Sequence, residues 1–320
     1  MSEPRVSVVV PAPRLTELGR RCLARVLELD PPVEVVFVPD EAPDEALDPR
    51  ILCVPSGPAL LGRKRQLGLE RARGEIVAFI DDDAYPHPDW LRNAVAALDA
   101  DPGVAATTGP AVTPPDDPER AWLGGRVYAS PLVSGPERWR HLPVAARDVP
   151  EAHGVNFVIR RRDALAIGLD TPDMPGDDTV LGDRLRARGR RIRYVPGAVL
   201  FHSRRELWRP HLFQLWRYAR QRARFFRQGG VSRRAAYAAP SALLLWLGLG
   251  WLAPRPLRRL WRASVVAYAA ACAVAGADPR PGRWLRTSGA IAATHGVYGL
   301  SFLLGLLGVP LQEWRRRADR

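Results

Sequence analysis

The stretch FIDDDAYPHPDWL, residues 79–91, constrains this chain more than any other. The run Glu75–Ile80 reads as a buried strand, and it ends in three consecutive carboxylates, Asp81, Asp82 and Asp83. Pro86 and Pro88 then break the extended pattern. Burying an unpaired charge is expensive, so the cluster belongs just outside a strand end. At the C-terminal edge of a parallel sheet, where open α/β folds place ligands, the same oxygens suit a divalent cation carrying phosphates.

The flanking segments supply such a sheet. Residues 5–11, 33–38, 51–54 and 76–80 read as strands, and 15–29 and 59–73 as helices between them. That alternation implies a mainly parallel sheet. Further on, 89–100 is predicted helical and 104–112 extended. Residues 113–150, rich in proline, read as a long loop. A strand over 154–160, a helix over 161–168, a helix over 178–188 and strands over 191–195 and 198–202 complete the domain. The second helix is basic, with Arg63, Lys64 and Arg65, and its charges are expected to face a diphosphate. A second carboxylate pair, Asp177-Asp178, follows Gly176 and opens a helix. His202 ends the last strand.

The chain has 320 residues and a formal net charge of +13, carried by arginine; Lys64 is the only lysine. Such a balance points to nucleic acid, an anionic membrane or phosphorylated ligands. After residue 205 the composition changes. Residues 207–228 interleave aromatics and arginines as a basic amphipathic helix, suited to a membrane surface or, in competition, to nucleic acid. Residues 235–254, 263–277 and 287–312 carry no charged side chain, which decides for membrane lipids and against nucleic acid. The first and last are long enough to span a bilayer. The arginine-rich segment 255–262 reads as a loop. A full span before it would place it outside, against the positive-inside tendency, a conflict that interfacial or re-entrant helices would remove. Cys22, Cys53 and Cys272 match no zinc or disulfide spacing and are expected to be buried thiols in a reducing compartment. The apolar run near the N-terminus is too short for a signal peptide, which places the catalytic part in the cytoplasm.

Four segments in order resemble family 2 glycosyltransferases with a GT-A fold. They are SVVVP (7–11), GRKRQLGLERARGEIVAFIDDDAYPHPDWL (62–91), HGVNFVIRRRDALAIGLD (153–170) and GDDTVLGDRLRARGRRIRYVPGAVLFH (176–202). The resemblance covers roughly residues 5–205. It implies an α/β, GT-A-type nucleotide-sugar-binding domain over 1–205. A basic interfacial helix over 206–234 follows, then an apolar helical region with a basic tail over 235–320. It also implies a membrane-associated bacterial enzyme at the inner membrane, catalytic domain cytoplasmic.

By the resemblance, Asp81 and Asp83 are the DxD carboxylates that hold Mg²⁺ or Mn²⁺ on the diphosphate of a nucleotide-sugar donor, with His202 as a further ligand. Asp82 orients the donor, and Pro11, Asp40 and Arg65 contact it. Asp178, with Asp177 in the place of the family's Glu, is the general base of an inverting displacement onto a lipid-linked or glycan acceptor. Gly154 and Asn156 lie on the acceptor side. Several positions depart from the family pattern: Pro39 stands where an Asp is common, Gln66 where Asn is, and Ala12-Pro13-Arg14 replace small-aromatic-Asn. Two rival readings remain. An aspartyl phosphotransferase would need a Thr where Tyr85 stands. The other is a non-catalytic membrane-bound scaffold that retains a sugar-nucleotide fold.

Overall fold

The computed structural model describes residues 4–171, 176–229 and 235–309. In chain order its strands are β1 (Val6–Pro11), β2 (Glu34–Val38), β3 (Ile51–Cys53), β4 (Ile76–Ile80), β5 (Ala84–Pro86), β6 (Val104–Thr108), β7 (Ala111–Val112), β8 (Arg147–Val149), β9 (Asn156–Arg160), β10 (Arg191–Tyr194) and β11 (Leu200–His202). The helices are α1 (Glu17–Leu27), α2 (Leu61–Arg71), α3 (Trp90–Ala100), α4 (Glu119–Ala129), α5 (Pro131–Ser134), α6 (Arg161–Ile167), α7 (Asp177–Arg186), α8 (Arg209–Gln228), α9 (Ala239–Leu249), α10 (Arg255–Ala275) and α11 (Pro281–Leu306). They form two units. The first is residues 1–117 with 136–204; the second is 118–135 with 205–320.

The first unit is built on an eight-stranded sheet of order β3-β2-β1-β4-β9-β6-β10-β8. β1, β2, β3 and β4 run parallel, as do β6 and β10. β9 is antiparallel to both β4 and β6, and β8 to β10. The mainly parallel expectation therefore holds with two reversed strands. Side chains alternate between two cores. Val8, Val10, Ala78 and Ile80 face α1 and α3, whereas Val9, Val77 and Phe79 face α2, α6 and α7. Thr16 caps α1, its Oγ1 accepting from Gly19 N at 3.1 Å. α2 lies close on β1, because a Cβ on Gly68 would stand 2.3 Å from Val9 Cγ1.

Three expectations change. The predicted strand 104–112 is two strands in different sheets. The break falls at Gly109, where a Cβ would stand 1.9 Å from the carbonyl oxygen of Ala198. The expected loop 113–150 contains α4, α5, a 3₁₀ turn over Gly135–Arg140 and β8. Its prolines do not prevent this, since Pro118 and Pro131 sit at helix starts, where no N–H is missed. The segment 255–262 is the first two turns of α10 rather than a loop. Of the three thiols, Cys22 and Cys272 are buried and Cys53 is half-buried.

The second unit is helical. Its two cores gather Leu123, Val127, Leu207, Cys272 and Ile291, and Ala219, Ala223 and Phe302. α4 joins it through Arg126, which pairs with Asp278 and donates to Ala277 O at 2.7 Å, and through Glu119, paired with Arg283 at 2.8 Å. Two segments, Ala235–Leu252 and Pro281–Leu306, are long and apolar enough to cross a membrane. The basic tail expected at the C-terminus begins within residues 310–320, outside the described residues.

Candidate active site

The carboxylates expected from the sequence gather at the C-terminal edge of β1, β2 and β4. β4 ends at Ile80, and Asp81, Asp82 and Asp83 form the turn into β5. β5 pairs antiparallel with β11, setting His202 opposite Ala84. Ser203 N donates to Asp83 O at 3.0 Å and locks the register. This ribbon brings His202 Nε2 to 3.1 Å from Asp83 Oδ1.

Arg65 joins the two acidic motifs. It is 1% exposed. Its Nη1 bonds Asp177, and its Nη2 donates to Gly154 O at 2.8 Å and to Asp81 Oδ1 at 3.3 Å. Burial opposes the guanidinium's charge, but Asp177, Asp81 and Asp178 together hold it more firmly protonated than usual. Burial pushes the Asp81 carboxyl above its ordinary range. Arg65 and His202 pull it down, and Asp83 pushes it further up. Asp177 is pushed up to about 6, by burial first, with Arg65 opposing and Asp178 and Asp81 adding.

Asp178 is placed differently. Its side chain is 16% exposed against 8% for Asp177, so it is the more accessible carboxylate of the pair. Its Oδ1 accepts from Thr179 N at 2.9 Å and its Oδ2 from Arg140 Nη1 at 3.0 Å. Arg140 also donates to Glu151 at 2.5 Å and to Glu137 at 3.3 Å. These three carboxylates raise its pKa against burial.

The basic helix α2 does not present a row of free charges. Arg63 is exposed, but Lys64 is 4% exposed and bonds both Ala12 O and Asp40. Lys64 and Arg65 thus clamp the ends of β1, β2 and β4, and Asp40 is held by a lysine. Pro11 is buried at the end of β1, opposite Val38. Gly154 touches the site through its carbonyl. Asn156 is fully buried: it accepts from Trp90 Nε1 at 2.9 Å and donates to Ala198 O at 2.8 Å. Its amide is therefore turned into the core, between Trp90 and Ala198.

Sequence reading missed Arg140, which lies in the segment taken as loop, and Glu151, which directly follows it. It also missed a basic cluster beside His202. Arg204 lies 3.2 Å from His202 Nδ1 and 3.2 Å from His141 Nδ1, and His141 stacks edge-on with His153. Burial, then neighbouring cations, hold both His141 and His153 well below the usual imidazole range, so they are neutral. Only the histidine count near a predicted strand end could have signalled them.

Among the described residues no three His, Cys, Asp or Glu side chains close on one point as a metal cage. Asp83 and His202 nevertheless present two donor atoms side by side, with Asp81 turned toward Arg65. An open edge of carboxylate and imidazole fits a hard divalent cation that takes its remaining ligands from phosphate and water.

No curated protein sequence matches the chain. Among solved structures, the mannosyltransferase PcManGT from Pyrobaculum calidifontis, in complex with GDP-Man and Mn²⁺, superposes with a TM-score of 0.60 at 22% identity, covering 94% of this chain and 88% of that one. GalNAc-T7 with UDP, GalNAc and Mn²⁺ gives a TM-score of 0.48 at 17% identity over 68% of this chain, which spans 48% of that protein. The fold shared with the mannosyltransferase is GT-A. The model of the family described as glycosyl transferase family 2 matches residues 7–167, half of the chain, and the chain belongs to that family of glycosyltransferases.

Proposed function

We propose that this protein is an inverting glycosyltransferase. It moves a sugar from a nucleotide-diphosphate donor to a hydroxyl of a lipid-linked or glycan acceptor at a membrane face. The observation that carries the reading is the Arg65 bridge, which makes one site of Asp81 and Asp177 from motifs far apart in sequence. The acceptor oxygen attacks the anomeric carbon from the side opposite the diphosphate. The carbon–oxygen bond to the nucleoside diphosphate breaks, and its electrons leave with that group. The acceptor proton goes to Asp178, whose greater exposure favours it over Asp177 as base.

Asp83 and His202, with Asp81 beside them, would hold Mg²⁺ or Mn²⁺. When bound, the cation offsets charge on the donor's diphosphate. The GDP-Man and Mn²⁺ of the Pyrobaculum enzyme support a nucleotide sugar and a divalent cation here. Asp82, Pro11 and Asp40 contact the donor, and Gly154 borders the acceptor. Arg65 holds the carboxylates in register and is a positioning residue. The apolar segments and the basic α8 support attachment to the inner membrane, with the catalytic unit on its cytoplasmic side.

The test is transfer by the purified full chain with Mn²⁺ across a panel of nucleotide sugars, beside thermal stabilisation by each donor. Asp178→Asn should lower kcat by at least about a hundredfold and leave stabilisation by the donor in place. Undiminished turnover in that variant would remove the base assignment. Stabilisation without transfer in the native chain would favour the scaffold reading.

A further inference from the structure

α11, with 26 residues, is long enough to cross a bilayer, but its partner is not suited to one. α8 runs parallel to it and in close contact. His211 meets Thr294 at 3.1 Å, Ser301 donates to Trp216 O at 2.7 Å, and a Cβ on Gly305 would stand 2.5 Å from Ala223 Cβ. Arg220 reaches Val309 O at 2.7 Å. α8 also carries Arg209, Arg217 and Arg224 exposed on its surface. If α11 spanned the hydrocarbon, α8 would be drawn in with these arginines, and charge at the bilayer centre is costly.

The other apolar stretch, Ala235–Leu252, has 18 residues and is long enough to span. A span would carry the arginines that directly follow it, Arg255, Arg258, Arg259 and Arg262, across the hydrocarbon, at the same kind of cost. α9 turns at Gly250–Leu252 straight into α10. This turn region exposes contiguous apolar surface: Leu249 is 55%, Trp251 56% and Leu252 62% exposed. Leu257 and Leu260 continue it on α10. Exposed Arg255, Arg258, Arg259 and Arg262 stand among these residues, and residues 235–277 contain no Asp or Glu. Apolar side chains, an interfacial tryptophan and unopposed arginines together match the headgroup and upper acyl zone of an anionic leaflet.

We propose that the helical unit docks on one leaflet of an anionic bilayer through the α9–α10 turn and crosses no membrane. This rests on the membrane attachment proposed above and specifies its form. It also removes the conflict over an arginine-rich segment placed outside, because residues 255–262 then stay on the side where the chain began.

Two measurements on the full chain test it. The first is flotation with vesicles of phosphatidylcholine alone or with about 30% phosphatidylglycerol; replacing Arg255, Arg258, Arg259 and Arg262 by Gln should weaken binding to the anionic vesicles at least about tenfold. Its thermal unfolding should match the native chain, since the four side chains are exposed. The second is labelling of Ala253→Cys and Ala277→Cys variants in intact cells with a membrane-impermeant maleimide; neither position should react from outside. Reaction at either would overturn the one-leaflet form and leave membrane attachment standing. Equal binding to both vesicle types would overturn the anionic recognition. Absence of binding to any vesicle would remove the membrane reading itself, and concentration-dependent dimerisation would then assign the surface to a second copy of the chain.

Discussion

Arg140 donates to Asp178 Oδ2 at 3.0 Å and, through its other terminal nitrogen, to Glu151 at 2.5 Å. One guanidinium thus holds both a carboxylate that is 1% exposed and the more accessible carboxylate of the second motif. Arg140→Ala should cost about 3 kcal/mol of stability, because removing one partner from a buried charge cluster leaves the others undercompensated. Arg140→Lys keeps the charge without the fork and should lose less. Urea unfolding checks the order; an Ala variant as stable as the native chain would contradict it.

Asp177 gives a pH dependence with a defined sign. Its carboxyl is raised from 3.8 to about 6 in the folded state. The folded chain therefore keeps this proton where the unfolded chain has lost it. The contribution is fully present below about pH 4 and is lost as pH rises through about 6. The span corresponds to about 3 kcal/mol. The unfolding free energy of the native chain, less that of Asp177→Asn, should fall by this order between pH 4 and 7. A flat difference would reject the shift.

The Asp83–His202 pair predicts metal behaviour. Calorimetric titration of Mn²⁺ with a nucleoside diphosphate present should show affinity reduced at least about tenfold in Asp83→Asn and in His202→Ala, as for loss of one ligand from an open site. His87→Ala is the control, since that imidazole is not part of the pair. If His202→Ala bound metal like the native chain, the histidine would be structural only.

Close packing of α2 on β1 makes Gly68 intolerant. Gly68→Ala puts a methyl against Val9 and should destabilise by about 1–3 kcal/mol, read as a lower urea midpoint. Because α2 also carries Lys64 and Arg65, the donor KM of this variant should rise. An unchanged midpoint would show that the helix yields at no cost.

What could be read from the sequence was local. Val6–Pro11, Glu34–Val38 and Ile76–Ile80 announce themselves as apolar β-branched runs closed by breakers. The acidic motifs were legible because charge at a strand end has few bland explanations. Strand order was not. β9 enters between β4 and β6 in reverse through pairings such as Phe79 with Phe157, and no local pattern encodes a partner so far along the chain. α4 was hidden by Gly124 and Gly125, poor helix formers. Gly124 is used for close approach, since a Cβ there would stand 2.9 Å from Arg205 O. Lys64 and Arg65 were visible as charges, but whether they faced a ligand or clamped strand ends depended on burial. Arg140 carried no signal, being one arginine among many until the fold set it beside Asp178.

The excursion of residues 118–135 into the helical unit has a consequence for the chain as it is made. Arg126 leaves the ribosome 152 residues before its partner Asp278, and Leu123 and Val127 wait still longer for Ile291. At ordinary synthesis rates the delay is roughly 8–30 s. During that interval the flanking segments can begin to assemble a sheet, while α4 hangs from it with its apolar face uncovered, a nascent-chain target for holdases. Translation speed over the last third of the message should therefore govern how much of the chain escapes aggregation, independently of anything at the catalytic edge.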